Sequence, residues 1–264
     1  MGSSDAVFAG SIPAIYDRCL GPFLFEPYAT DLAERAAALE PRRILETAAG
    51  TGIVTAALAE AFPEAEIVAT DLNEAMLEVA AARLSSPRVS FAPADAQSLP
   101  FEDGRFDLVA CQFGAMFFPD RLAAYREALR VLRPGGALLL NVWDRLEANP
   151  ASSAVAGAVA ALFPKDPPGF LGRVPFGYHD KARVEADLRA AGFASVEAET
   201  VALRAGGAAR DLAVGVCQGS PLRNEIEARD SGRLDEAAEA ASAATEALGD
   251  EAFALSAHVF TARP

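Results

Sequence analysis

Residues 42–62 read RRILETAAGTGIVTAALAEAF. An apolar run ends at Glu46, passes through the small residues Ala48, Ala49 and Gly50, and enters a helical pattern at Gly52. Small residues let a ligand approach the backbone closely. A helix start offers it unpaired amides and a positive dipole end, which suit a phosphate or a carboxylate. A second apolar run ends in VATDLNEAM, putting Asp71 about 20 positions after the turn, where an acid can accept both hydroxyls of a ribose. A third run is followed by APADAQSLPFEDGRFD, in which Asp95 can accept from the exocyclic amine of an adenine. A dinucleotide and a sulfonium nucleoside both suit this set. The dinucleotide pattern G-x-G-x-x-G asks for a third glycine where the chain has Thr55.

Few other groups offer chemistry. The two histidines are His179, at a loop-to-helix boundary in FGYHDKARV, and His258, inside an alternating strand pattern. His179 is the candidate general base; His258 is expected to be a hydrogen-bonded structural residue. Cys19, Cys111 and Cys217 are far apart and form no C-x-x-C pair, so a reducing, cytoplasmic setting is expected. Cys111 lies within an apolar run and reads as a small core residue. No H-x-x-x-H or cysteine cluster is present, so no metal is expected.

With 23 basic and 37 acidic residues the chain carries a net charge of −14. That balance argues against binding nucleic acid through phosphate neutralisation and against an anionic membrane surface. No apolar run approaches the roughly 20 residues a membrane span requires. The start, MGSSDAVFAGSIPAIYD, lacks the basic and apolar regions of a secretory signal.

The elements that must hold these residues alternate. Strands are expected at 43–46, 66–70, 88–92, 106–111 and 137–143, with helices at 73–84 and 119–136 between them. Asn73 is the expected cap of the first helix, with Met76, Leu77, Ala80, Ala81 and Leu84 on its inner face. Leu122, Tyr125, Leu129 and Leu132 face inward on the second, which RPGG stops. Strands such as DLVAC and ALLLNV are apolar on both faces, as in a parallel sheet covered by helices. With further strands at 195–203 and 252–262, the expectation is a doubly wound, mostly parallel seven-stranded α/β sheet with helical lid insertions.

The expected organisation is an N-terminal cap and leading helix (1–41), a binding core (42–143), a lid insertion (144–179), the core continued (180–204), a helical lid (205–250) and a closing strand (251–264). The leading helix covers 30–40. The first lid, rich in Pro, Gly, Phe and Ala, is expected to carry little regular structure. A helix at 180–193 is capped by Asp180 and stopped at Gly192.

Five segments in order, LETAAGTG, ATDLNEAML, ADAQSLPFEDGRFDLV, CQFGAMFFPD and LRPGGALLL, resemble the class I S-adenosylmethionine-dependent methyltransferases. They are similar in particular to the ubiquinone- and menaquinone-pathway type and to small-molecule methyltransferases. The resemblance is strongest over 42–143. It implies S-adenosylmethionine as cofactor and S-adenosylhomocysteine as product. Glu46, Ala48, Gly50 and Gly52 would hold the amino-acid end and Asp71 the ribose. Leu72 and Met76 would flank the adenine, which Asp95 and the Ala96 amide would bind, with Gln112 and Phe113 beside the methionine portion. The family usually has glycine where Ala48 stands. IYDRCLGPFLFEPYA looks like a closing cap, with Tyr16 and Phe25 as candidate contacts. Phe117, Phe170, Phe176, Tyr178 and Leu222 are candidate walls for a small apolar or aromatic acceptor, in a monomer or homodimer. An NAD(P)-dependent oxidoreductase, or a cofactor-binding protein without catalysis, is the competing expectation.

Overall fold

A computed structural model describes residue 8 and residues 10–264. The start of the expected cap, residues 1–7 and 9, lies outside the described residues. The strands are β1 (Arg43–Thr47), β2 (Glu66–Asp71), β3 (Val89–Pro93), β4 (Phe106–Gln112), β5 (Leu132–Trp143), β6 (Ser195–Arg204) and β7 (Ala254–Arg263). The helices are α1 (Ile12–Ile15), α2 (Glu26–Ala37), α3 (Ile53–Ala61), α4 (Glu74–Arg83), α5 (Arg121–Val131), α6 (Pro150–Leu162), α7 (Phe170–Arg173), α8 (Lys181–Ala191), α9 (Ala209–Gln218), α10 (Leu222–Asp230) and α11 (Leu234–Glu246). A wide, π-type helix over Tyr16–Phe25 joins α1 to α2.

The strands form one seven-stranded sheet in the order β3-β2-β1-β4-β5-β7-β6. β1 pairs in parallel with β2 and β4, β2 with β3, and β4 with β5. This is the expected doubly wound sheet. Reversal of strand order beside β1 creates a crevice at the carboxyl ends of β1 and β4, where ligands of such sheets bind. Ile44, Leu45, Leu108 and Val109 are buried, each contributing ~1.5–3 kcal/mol through burial of its apolar side chain.

The chain divides into two compact units. One comprises residues 28–142, 178–201 and 257–264 and holds the parallel strands. Its helix starts are set locally. Asn73 accepts from the Ala75 amide, Asp120 from Ala123, and Asp180 from Ala182 and Arg183, caps typically worth ~1 kcal/mol each. Gly192 ends α8 at φ 114, a left-handed conformation that favours glycine. α8 packs on α5, where the Tyr178 hydroxyl donates to Asp187 at 2.7 Å and the Arg121 guanidinium lies 4.1 Å from its ring centre.

The other unit comprises residues up to 27, 143–177 and 202–256. Within it α11 packs on α9 and α6, and α9 on the π-type helix. Gly215 of α9 meets Leu20 and Cys19 so closely that a Cβ there would lie 2.4 Å from Leu20. The second insertion is helical, as its Ala- and Glu-rich composition implies.

Four expectations need correction. The stretch 144–179 is not largely irregular: α6 spans 13 of its residues, because PASSAVAGAVAAL opens with Pro at the first helical position and is rich in alanine. The leading helix starts at Glu26 rather than at 30 and ends at Ala37. Ala81 is exposed, so the inner face of α4 is Met76, Leu77 and Ala80, with Leu84 half-buried. RPGG ends α5 but already lies in β5, where Phe106 pairs with Leu132 and Leu108 with Ala137 across a register shift. Arg133 in that bulge forms an ion pair with the buried Asp107, which also accepts the Arg42 and Arg43 amides.

Candidate active site

The turn after β1 alternates backbone hands. Ala48, Gly50 and Gly52 have φ of 54, 55 and 77. A side chain in that region costs ~1–2 kcal/mol, which explains the glycines and makes Ala48 a strained position. A Cβ on Gly114, in the loop after β4, would lie 2.5 Å from the Ala48 methyl and 3.0 Å from Cys111 Sγ. Glycine at 114 therefore supplies the room that alanine at 48 takes.

Glu46 is buried at the end of β1, and the Thr55 hydroxyl, one turn into α3, donates to its Oε2 at 2.6 Å. Burial pushes the Glu46 carboxyl up to about 8, with Asp71 adding to the rise and the Thr55 bond opposing it. Asp71 is half-buried at the end of β2. Its Oδ2 accepts the Gly50 amide at 2.9 Å and its Oδ1 the Asn73 amide at 2.8 Å. Desolvation raises its pKa despite those bonds.

Leu72, next in the chain, is 72% exposed, whereas Met76 is buried on α4. Asp95 and Ala96 follow β3 and are half-buried. The Asp95 carboxylate accepts the Gln97 amide at 2.8 Å and its side-chain nitrogen at 3.0 Å, a local turn that fixes its orientation. At the end of β4, Gln112 is half-buried and Phe113 is buried with φ 51. Asn141 accepts the Phe113 amide at 3.0 Å, and Tyr28 meets the Phe113 ring edge-on at 5.3 Å. The Cys111 thiol, pushed up to about 11 by burial, stays protonated and serves the core.

Two residues escape sequence reading. Thr55 counts in the sequence only as the absence of a third glycine; its role emerges from the bond to Glu46. Thr51, between Gly50 and Gly52, is buried, and its hydroxyl oxygen has no hydrogen-bond partner among the described residues. An unsatisfied buried hydroxyl costs ~1–3 kcal/mol, so its persistence in the turn points to a ligand that supplies the partner. No motif signals this, because Thr in a turn is common.

His258 is buried, with Nδ1 3.0 Å from the Thr200 hydroxyl, the structural role expected of it. His179 is exposed directly before the cap of α8. Tyr178 is buried, its hydroxyl 3.4 Å from that of Tyr125 and its ring held as described between α5 and α8. Phe117 is half-buried after β4. In the other unit, Tyr16 stacks on Phe25 at 5.0 Å, Phe25 approaches Trp143 at 6.4 Å and Trp143 approaches Phe176 at 6.0 Å. Phe170 and Leu222 are buried there.

The strand ends thus present a buried acid, an unsatisfied hydroxyl, two further carboxylates and an exposed apolar side chain. These donor and acceptor types fit an adenosine joined to a charged amino acid: acceptors for an ammonium, for ribose hydroxyls and for an amine. Residues 44–136 match the family model described as a methyltransferase domain. The chain is 40% identical over 133 residues to the demethylmenaquinone methyltransferase of Deinococcus radiodurans, covering 50% of this chain and 53% of that one. It is 38% identical over 127 residues to the ubiquinone/menaquinone biosynthesis C-methyltransferase UbiE of Pseudomonas aeruginosa, covering 46% and 50%. The chain thus spans about half the length of these curated relatives. Its fold is shared with a Haemonchus contortus phosphoethanolamine N-methyltransferase solved with S-adenosylhomocysteine, at a TM-score of 0.55, 16% identity and coverage of 97% and 61%. The match of residues 44–136 to a methyltransferase domain and the curated relatives bear out the expected resemblance to the S-adenosylmethionine-dependent methyltransferases.

Proposed function

We propose that the protein transfers the methyl group of S-adenosylmethionine to a small apolar or aromatic acceptor, of the quinone-ring class for which its curated relatives are named. The observation that carries this reading is the strand-end set of Glu46, Thr51, Asp71 and Asp95, whose unsatisfied hydroxyl and buried acid suit the charged end of the cofactor.

In this reading Glu46 meets the ammonium and Thr51 and the α3 amides meet the carboxylate. Asp71 accepts the ribose hydroxyls with the lone pairs its amide donors leave. Asp95 accepts the adenine amine and the Ala96 amide donates to a ring nitrogen. Leu72 lends an apolar surface to the adenine face, Met76 backs it from α4, and Gln112 and Phe113 adjoin the methionine portion.

When bound, the cofactor supplies an activated methyl on a sulfonium that departs as an uncharged thioether. The protein needs no nucleophile of its own. Its contribution is to align acceptor and methyl and to exclude water, which can provide on the order of 7–11 kcal/mol. Phe117 and Tyr178 are the proposed apolar surroundings of the acceptor. Of the two histidines, His179 is the one exposed to solvent, and we assign it the proton that the acceptor loses. We assign the lids in this reading to 144–179 and 205–250. No helix among the described residues is long and apolar enough to cross a membrane, and three buried free cysteines suit a reducing compartment.

A thermal-shift panel with S-adenosylhomocysteine, NAD and NADP tests the cofactor, since a ligand stabilises the state it binds. Stabilisation by S-adenosylhomocysteine alone, followed by methylation of a demethylated naphthoquinol, supports the reading. Stabilisation by NAD or NADP instead overturns it, and binding without turnover on any such acceptor overturns the catalytic part.

A further inference from the structure

Thr55 stands where a dinucleotide site would carry its third glycine. That glycine serves close helix–strand packing; here the position carries a fully buried hydroxyl 2.6 Å from Glu46 Oε2. The distance is that of a close O–H···O bond. Gly52, at the start of α3, lets the turn approach α4: a Cβ there would lie 2.8 Å from the Ala80 methyl, while Thr55 Oγ1 would be in ordinary contact at 3.6 Å. The titratable groups that bear on Glu46 are Asp71 on β2 and Cys111 on β4, and neither can donate a positive charge to it. Among the described residues no donor meets its other carboxylate oxygen.

We propose that Thr55 is a positioning residue for cofactor binding: by holding one oxygen of Glu46 it aims the other at the ammonium of the cofactor's amino-acid end. This rests on the reading that Glu46 meets that ammonium. The terminal torsion of a glutamate is broad, so without a fixed partner the carboxylate samples orientations that miss the ligand. Hydrogen bonding to the ionised form also favours it over the protonated one. Thr55 thus orients the acid, and its bond opposes the rise that burial imposes on the carboxyl.

The test compares two ligands that differ only beyond the sulfur. S-adenosylhomocysteine carries the amino-acid end; 5′-methylthioadenosine ends in a methyl group. Calorimetric titration of Thr55→Val is expected to weaken S-adenosylhomocysteine by about 5–10-fold, the net worth of one ordinary hydrogen bond, and 5′-methylthioadenosine by less than about twofold. Thr55→Ser, which keeps the hydroxyl, is expected to restore the wild-type ratio. Equal weakening of both ligands would mean a purely structural role, and no weakening of either would mean no role; both results overturn the proposal. Glu46→Gln separates this from its premise. If that variant binds S-adenosylhomocysteine as well as wild type, the assignment of Glu46 itself fails; if it binds weakly while Thr55→Val does not, only the role of Thr55 fails. Should Thr55→Val not fold, Thr55→Ala serves in the same comparison by the same criteria.

Discussion

The backbone amide of Gly50 donates to Asp71 Oδ2 at 2.9 Å, joining the turn after β1 to the end of β2. One carboxylate therefore shapes the glycine turn and faces the proposed ribose position. Asp71→Ala should cost more than a ligand contact, because it also frees the Gly50 and Asn73 amides. Affinity for S-adenosylhomocysteine is expected to fall by about 30-fold or more by calorimetry, the loss of ~2 kcal/mol typical of bonds to a charged group. Unchanged affinity would remove Asp71 from the site.

Thr51→Val should part stability from binding. The variant keeps the branched shape and deletes a buried hydroxyl that has no partner among the described residues. Thermal unfolding without ligand is expected at the same temperature as wild type or higher, whereas S-adenosylhomocysteine affinity should drop about tenfold. A lower unfolding temperature with unaltered affinity would show that the hydroxyl serves the fold.

Glu46 makes stability depend on pH with a definite sign. Its carboxyl is near 8 folded against 4.5 for the free side chain, so the folded state binds the extra proton between those values. Stability of the ligand-free protein should then decline as pH rises from about 4.5 to 8 and level off above. Glu46→Gln should remove that slope. Its stability gain over wild type is expected to be largest near pH 8, at most about 5 kcal/mol, and to vanish toward pH 4.5. Denaturant melts across this range check it; a gain that grows toward acid pH would contradict the burial of the charge.

The Ala48–Gly114 fit is a stability prediction free of cofactor. Gly114→Ala forces a Cβ to 2.5 Å from the Ala48 methyl, and overpacking of this kind costs ~1–3 kcal/mol. Ala48→Gly in the same chain should recover much of that loss, because glycine also relieves φ 54. A double-mutant cycle by chemical denaturation reads the coupling, and strict additivity would refute the contact.

His179→Gln probes the proton. S-adenosylhomocysteine affinity should stay within about twofold, while turnover on an acceptor that loses a proton falls by about 10²-fold or more. Full turnover would assign the proton to solvent.

Periodicity and capping made the sheet legible from the chain alone. Runs apolar on both faces announced buried parallel strands, and Asn73 and Asp180 marked helix starts that the structure keeps. Motif order and spacing carried the resemblance to the methyltransferases and put Glu46, Asp71 and Asp95 at three strand ends, because strand–helix alternation carries each acid to the same edge of the sheet. Composition misjudged 144–179, where a Pro- and Gly-rich tail masked an alanine helix. Other features belong to contacts between residues remote in sequence. That Thr55 reaches Glu46, that Thr51 is buried without a partner, and that Gly114 yields space to Ala48 depend on how close α3, the turn and the β4 loop come in three dimensions. Spacing fixes which residues share an edge; only packing fixes which side chains meet, since a hydroxyl's partner is decided by a few tenths of an ångström.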